Sequence, residues 1–209
     1  MKKLVFLVCF FMLNATLVFA DLVSTFDTDM EGWRPGGYDD SVILSWTGDG
    51  GNPGGYLSGE DNKGNDWWYF ISPTSWAGNW SGYSSLEFDL KIFYAEGTVA
   101  TVAAPPMVVI YDGDGNKLEW TDKNNFPPNF DWTHYFVRLN AETFGVTENY
   151  FNSVISDVKE LRIRGEYVYQ DDIEGLDNVR VSAVSLPGAI YLLGSGLLGF
   201  LAQRKRVKA

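Results

Sequence analysis

Apolar and polar residues alternate along much of this chain with the period of two that a half-buried β-strand requires. In Leu86-Glu87-Phe88-Asp89-Leu90-Lys91-Ile92 every second residue is apolar. Tyr135, Val137 and Leu139 alternate with His134, Phe136 and Arg138 in the same way. Leu161 and Ile163 alternate with Arg162 and Arg164, and Val179, Val181 and Ala183 with Arg180 and Ser182. The near-continuous apolar stretch Met107 to Tyr111 reads as a central strand. Clusters of Gly, Asn, Asp and Pro at Gly48–Gly55, Asp112–Asn116 and Asn124–Asn129 separate these runs. One short helix is expected around Thr147–Ile155, with Thr147 as its cap. Many short strands with Gly-rich turns predict an all-β fold, an antiparallel sandwich of jelly-roll type.

The two ends follow other patterns. Met1-Lys2-Lys3, an apolar run from Leu4 to Leu13 and Val18-Phe19-Ala20 before Asp21 have the layout of a secretory signal peptide over residues 1–20. The alternative is an N-terminal anchor that is retained. Near the other end, Ala183 to Ala202 is uncharged throughout, which as a helix is about 30 Å, just enough to cross a bilayer. Gln203-Arg204-Lys205-Arg206 follows, a basic cluster that stays on the cytoplasmic side. The ends therefore predict an exported domain over 21–184 and a single transmembrane helix within 185–209.

Charge narrows the function of the part between. The chain has 16 Lys+Arg and 27 Asp+Glu. Six of the basic residues, Lys2, Lys3, Arg204, Lys205, Arg206 and Lys208, lie at the ends, which leaves ten against 27, a net charge of about −17. No nucleic-acid partner is expected of such a surface, because phosphates need clustered Lys and Arg. Calcium, neutral glycans or a basic partner suit it better. The sole cysteine, Cys9, falls in the leader, so neither disulfides nor thiolate chemistry are available to the exported part.

Two resemblances are carried by specific residues. Ser185-Leu186-Pro187-Gly188-Ala189, the apolar span with Leu192-Leu193-Gly194-Ser195-Gly196-Leu197-Leu198-Gly199 and the terminal basic cluster resemble a PEP-CTERM sorting signal of the VPLPA type. That resemblance implies Leu186, Pro187, Gly188, Arg204, Lys205 and Arg206 as signal residues. It also implies an exosortase that cleaves near Pro187, and a Gram-negative, exopolysaccharide-making cell. The middle resembles a laminin B (laminin IV type A) domain. The resemblance begins with Ser24-Thr25-Phe26-Asp27, Glu31-Gly32-Trp33 and Gly50-Gly51-Asn52-Pro53-Gly54-Gly55-Tyr56-Leu57. It continues through Trp68-Tyr69-Phe70-Ile71-Ser72-Pro73 and Tyr83 to Leu90, and closes with Leu161 to Tyr167 and Gly175-Leu176-Asp177-Asn178-Val179. It implies a galactose-binding-like jelly roll of the kind found in extracellular-matrix proteins.

Candidate chemistry rests on few side chains. Asp27 closes the first strand and Asp177 opens the last, and these strands tend to be neighbours in a jelly roll. Asp177 shares parity with Val179 and Val181, which directs its carboxylate toward the core, where it needs a partner. A structural Ca2+ held by Asp27 and Asp177, with Glu31 or Asp61 completing the shell, would meet that need; a turn cap or an arginine partner would meet it equally. Asp112-Gly113-Asp114-Gly115-Asn116 imitates a calcium loop but lacks the glutamate at its twelfth position, and reads as a hairpin turn. Trp67, Trp68, Trp76 and Trp80 fall within fourteen residues. They suggest either a stacking platform for sugar rings or core packing with one wet edge. The single histidine, His134, is a surface or groove residue more than a general base.

No nucleophile elbow, zinc-protease motif or phosphate loop occurs. The expected function is a non-enzymatic surface or matrix protein that adheres or associates with carbohydrate. Its partners would be an exosortase-type enzyme and extracellular polysaccharide or surface proteins. A purely structural matrix component and a small polysaccharide-active enzyme are the alternatives.

Overall fold

A computed structural model describes residues 19–37, 41–61, 67–96, 105–167 and 171–184. The expected leader, apart from Phe19 and Ala20, and the whole expected sorting tail with Leu186, Pro187, Gly188, Arg204, Lys205 and Arg206 lie outside the described residues. Among the described residues no helix is long and apolar enough to cross a membrane.

Among the described residues eleven strands form two antiparallel sheets: β1 (Leu22–Ser24), β2 (Arg34–Gly37), β3 (Ile43–Thr47), β4 (Tyr56–Asp61), β5 (Trp68–Ile71), β6 (Tyr83–Ala95), β7 (Val108–Asp112), β8 (Lys117–Trp120), β9 (Thr133–Arg138), β10 (Val158–Arg164) and β11 (Asp172–Ala183). The first sheet runs β3-β4-β11-β6-β9, with β1 also paired to β11; the second runs β2-β5-β10-β7-β8. β11 is long enough to hold two partners end to end on one side: Asp172 to Leu176 pair with β4, and Val179 to Val181 with β1. Between those two partners lies Asp177.

Alternation drives the sandwich. Leu86, Phe88, Leu90, Tyr135, Val137, Leu176 and Val181 from the first sheet meet Trp68, Phe70, Val108, Ile110, Leu161 and Ile163 from the second in one buried cluster. Trp68 spans the interlayer space. A Cβ added to Gly59 on β4 would lie 2.0 Å from its ring, and one added to Gly165 after β10 would lie 2.2 Å away. Glycine at both positions makes room for the indole.

Helices are minor. The expected one is α2 (Glu148–Ile155), with the Thr147 hydroxyl accepting the Tyr150 N–H. A further turn, α1 (Ala141–Phe144), is capped by the Asn140 side chain and stopped by left-handed Gly145. The Asp112–Asn116 segment is a hairpin turn between β7 and β8. Asp112 Oδ1 accepts the N–H groups of Asp114 and Asn116 at 3.0 and 2.7 Å. These bonds, led by the one from the Asn116 side chain, hold the Asp112 carboxyl below its usual value.

Both ends of the domain meet at one pole. Asp21 Oδ1 accepts the Ala183 N–H at 2.8 Å, Gly82 O accepts the Val184 N–H at 2.8 Å, and Ala20 O accepts the Tyr83 hydroxyl at 3.0 Å.

Candidate functional site

The four tryptophans do not share a surface. Trp68, Trp76 and Trp80 belong to the core, at 0, 6 and 2 % exposed. Trp33 meets Trp76 edge to face, and the Trp80 indole N–H donates to Trp76 O at 2.7 Å. Only Trp67 is left partly open. The reason is strand parity: with Trp68 facing inward on β5, the preceding residue must face outward.

Trp67 therefore stands at one end of the outer face of the second sheet. The Arg164 guanidinium lies over its ring at 4.5 Å and also within 4.9 Å of Tyr167 and 5.3 Å of Phe126. Arg164 donates to Glu166 O and, at 2.8 Å, to Pro105 O, so the cation is held in place. Further along the face, Tyr69, Ile71 and Val109 form a satellite cluster with Tyr111 against it, separate from the main core. Burial pushes the Tyr69 hydroxyl up to about 12 although Arg164 pulls it the other way. The Arg162 guanidinium lies over the Tyr111 ring at 4.5 Å. Glu160 gathers two arginines, Arg162 through Nε at 2.7 Å and Arg34 at 3.0 Å. The face is thus a row of aromatic rings and planar guanidinium groups with a charged rim, in which Tyr69 and Arg164 are buried and Trp67, Tyr111 and Arg162 are partly open. The alternation of Arg162 and Arg164 with Leu161 and Ile163 marks the strand in the sequence. It does not show that Tyr69 and Tyr111 stand beside those arginines, because that depends on how β5, β10 and β7 pair.

The carboxylates gather on the other sheet. Asp177 pairs with Asp89 on β6, but Arg180 pairs with Glu87, so β11 carries one extra residue between them. Asn178, left-handed at φ 50°, is that bulge. The bulge corrects the parity expectation: Asp177 does not point into the core with Val179 but away from it, on the side of Asp89. The loop Gly48–Gly55 covers it there. Asp177 Oδ2 accepts the Asn52 N–H at 2.6 Å and Oδ1 the Asn178 N–H at 2.7 Å, while the Asn52 side chain donates to Asp89 at 3.1 Å. Asn178 Nδ2 donates to Asp89 Oδ2 at 2.9 Å and to Asn52 O. Burial raises the Asp177 carboxyl to about 6; the two N–H donors lower it, and the charges of Asp89 and Asp27 raise it further.

Asp27 reaches the same loop: a Cβ on Gly54 would lie 2.4 Å from its Oδ1, and one on Gly51 would lie 2.8 Å from Asp177 Oδ2. Glu31 instead accepts the N–H groups of Thr25 and Phe26 at 3.2 and 2.7 Å. Asp61 closes β4 opposite Asp172, four ladder steps beyond the Leu57–Leu176 pair and so at the far end of that strand. Of the four expected metal ligands, the fold brings together Asp27 and Asp177. It adds Asp89, which the alternation places only on a strand. Among the described residues the non-glycine positions with positive φ, Phe26, Glu31 and Asn178, lie in or beside this cluster, where backbone strain is expected to collect at a site. Among the described residues no three His, Asp or Glu side chains converge closely enough to hold a metal by themselves.

A third feature was not legible from spacing. Tyr56 stacks on Phe93 at 4.8 Å, and Trp132 meets both rings edge to face, over the bare backbone of Gly175. Trp132 donates its indole N–H to Gly50 O at 3.1 Å and so tethers the loop that covers Asp177.

Comparison with known proteins gives the following likenesses. Residues 69–190 match the family Laminin B (Domain IV). The L4b domain of human laminin alpha-2 aligns with TM-score 0.48 and 14% identity over 56% of this chain and 70% of that one. A family 11 carbohydrate-binding module of a cellulosomal cellulase of Clostridium thermocellum aligns with TM-score 0.47 and 10% identity over 80% and 96%. The CBM22-1 xylan-binding domain of a Paenibacillus barcinonensis protein aligns with TM-score 0.48 and 12% identity over 79% and 95%. No curated protein matches the chain.

Proposed function

Because the chain belongs to the laminin B (domain IV) family, we propose that it is an exported, non-catalytic surface or matrix protein whose sandwich associates with extracellular polysaccharide. The observation that carries this reading is the outer face of the second sheet. Trp67 and Tyr111 are partly open there, backed by Arg164 and Arg162, with Tyr69 and Arg164 buried beneath. A sugar polymer can stack on the partly open Trp67 and Tyr111 rings and bond to the rim formed by Arg34, Glu160 and Arg162. The test is a titration of the full chain with the producing cell's exopolysaccharide, followed by tryptophan fluorescence. A saturable change that Trp67→Ala or Tyr111→Ala abolishes supports the reading. No change turns it toward a structural component without a specific ligand, and release of shortened glycan would make the protein an enzyme.

Delivery, in the same proposal, uses the two ends: a signal peptide over residues 1–20 and an exosortase-type sorting tail over 185–209. It is supported by the ordered motif, span and basic cluster in the sequence. The tail holds the protein in the inner membrane until cleavage releases it to the cell surface or matrix.

Calcium fits the carboxylate cluster in one respect. Asp27, Asp89 and Asp177 bring like charges around one loop, and a buried carboxylate raised to about 6 is one that lacks a full counter-charge. Asp27 and Asp177 would hold the ion together with backbone carbonyls of the surrounding loops, since calcium takes six to eight oxygens, carbonyls included. Its contribution would be to neutralise the cluster and fix the Gly48–Gly55 loop.

A further inference from the structure

We propose that the outer face of the first sheet carries a site for a borderline-soft divalent transition-metal ion such as Zn2+ or Cu2+, formed by His134 Nε2 and Glu87 Oε2. Its ligands differ from Asp27 and Asp177, the pair proposed above for calcium. His134 on β9 lies opposite Asp89 on β6, with Nδ1 and Asp89 Oδ1 2.7 Å apart. Asp89 is 3 % exposed and is held by the side-chain amides of Asn52 and Asn178, so it does not move to follow the ring. A carboxylate accepts only, so the imidazole N–H sits on Nδ1 in the neutral ring and the Nε2 lone pair faces outward.

That is the arrangement in which a histidine ligates metal: one nitrogen donates to a fixed carboxylate, which orients the ring, and the other binds the ion. Nε2 lies 3.9 Å from Glu87 Oε2. Two ligands of one ion at about 2.0–2.2 Å each stand about 3.4 Å apart in tetrahedral geometry, within reach of a small side-chain rotation. The other Glu87 oxygen receives the Ser85 hydroxyl at 3.5 Å, which leaves Oε2 for the ion. Arg180, the ladder partner of Glu87 on its other side, is drawn toward Asp21 at 3.8 Å. The protein supplies two ligands and water supplies the rest. Nitrogen ligation selects the imidazole-seeking metals over calcium and magnesium.

The chain contains a single histidine, which makes the test specific. The full chain is titrated with Cu2+ alone and followed by electron paramagnetic resonance and by calorimetry. One equivalent should bind with the hyperfine signature of one imidazole nitrogen. His134→Ala should remove that signature, and Glu87→Gln should weaken binding about tenfold or more. Both side chains are at the surface, 58 and 31 % exposed, and circular-dichroism melts establish that the variants are folded. Millimolar Ca2+ should leave the signal unchanged. Equal Cu2+ affinity in His134→Ala, equal affinity in Glu87→Gln, or displacement of Cu2+ by Ca2+ would each overturn the proposal.

Discussion

Asp177 and Asp89 sit opposite each other on the β11–β6 ladder, joined by two asparagines, Asn52 and Asn178, in each of which the backbone N–H serves the first and the side chain serves the second. Asn52 lies 125 residues before Asp177 in sequence and Asn178 directly follows it; without these amides two neighbouring carboxylates would face each other under a covering loop. The pair fixes where the Gly48–Gly55 loop lies and makes the cluster sensitive to charge.

The sensitivity has a sign. Asp177 has a folded-state pKa of about 6 against an ordinary value of 3.8. The protonated form therefore favours folding, and its contribution is lost as pH rises from about 4 through about 6. In chelator, the melting temperature of the wild type should fall relative to that of Asp177→Asn across this window. Parallel melting curves for the two proteins from pH 4 to pH 7 would contradict the raised pKa.

Calcium should act where that penalty is greatest. Thermal melts with calcium in excess and then with chelator should differ at pH 7, by about 2.7 kcal/mol at a hundredfold excess over the dissociation constant. The difference should shrink at pH 4, where Asp177 is protonated, and in Asp27→Ala. An equal difference in Asp27→Ala would remove Asp27 from the ligand set.

The adjacent residues Trp67 and Trp68 should behave oppositely. Trp68→Ala removes a fully buried indole and should destabilise by about 3–5 kcal/mol in urea unfolding. Trp67→Ala should leave the unfolding midpoint nearly unchanged and weaken glycan binding by about tenfold or more, the scale of an interface hot spot. If Trp67→Ala binds as the wild type does, the second sheet's outer face is not the glycan face.

Gly59→Ala tests how Trp68 fills the space between the sheets. The new methyl would stand 2.0 Å from the ring, so the indole or β4 must shift. A loss of about 1–3 kcal/mol is expected from such overpacking, read as a lower urea midpoint with an unchanged slope. No loss would mean that the indole has room to move.

Strand parity made much of this architecture legible. Leu86 to Ile92 and Leu161 to Ile163 occupy β6 and β10 as their alternation predicts, Val108 to Tyr111 occupy β7 as their near-continuous apolar run predicts, and Thr147 caps α2. β2 escaped notice because Arg34-Pro35-Gly36-Gly37 has the composition of a turn and becomes a strand only by pairing with β5. Parity alone directs Asp177 to the core side, and one inserted residue, Asn178, resets that parity along β11. A bulge leaves no trace in a pattern of period two. The aromatic row on the second sheet was hidden for a different reason. Its members come from β5, β7 and β10, so their proximity depends on strand pairing over long sequence separations rather than on spacing. Clustering along the chain drew attention to Trp76 and Trp80, which pack inside; clustering in space belongs to Trp67 with Arg164 and to Tyr111 with Arg162.

The meeting of both ends at one pole determines how the domain responds to force. β1 runs antiparallel to β11, with Leu22 beside Val181 and Asp21 bonded to Ala183. A pull that separates the two ends acts across this short ladder, beginning at Asp21–Ala183 and breaking its hydrogen bonds one after another. It does not load them all at once, as it would if the ends lay at opposite poles. β1 therefore peels away under small tension, while β4 and β6 still hold β11.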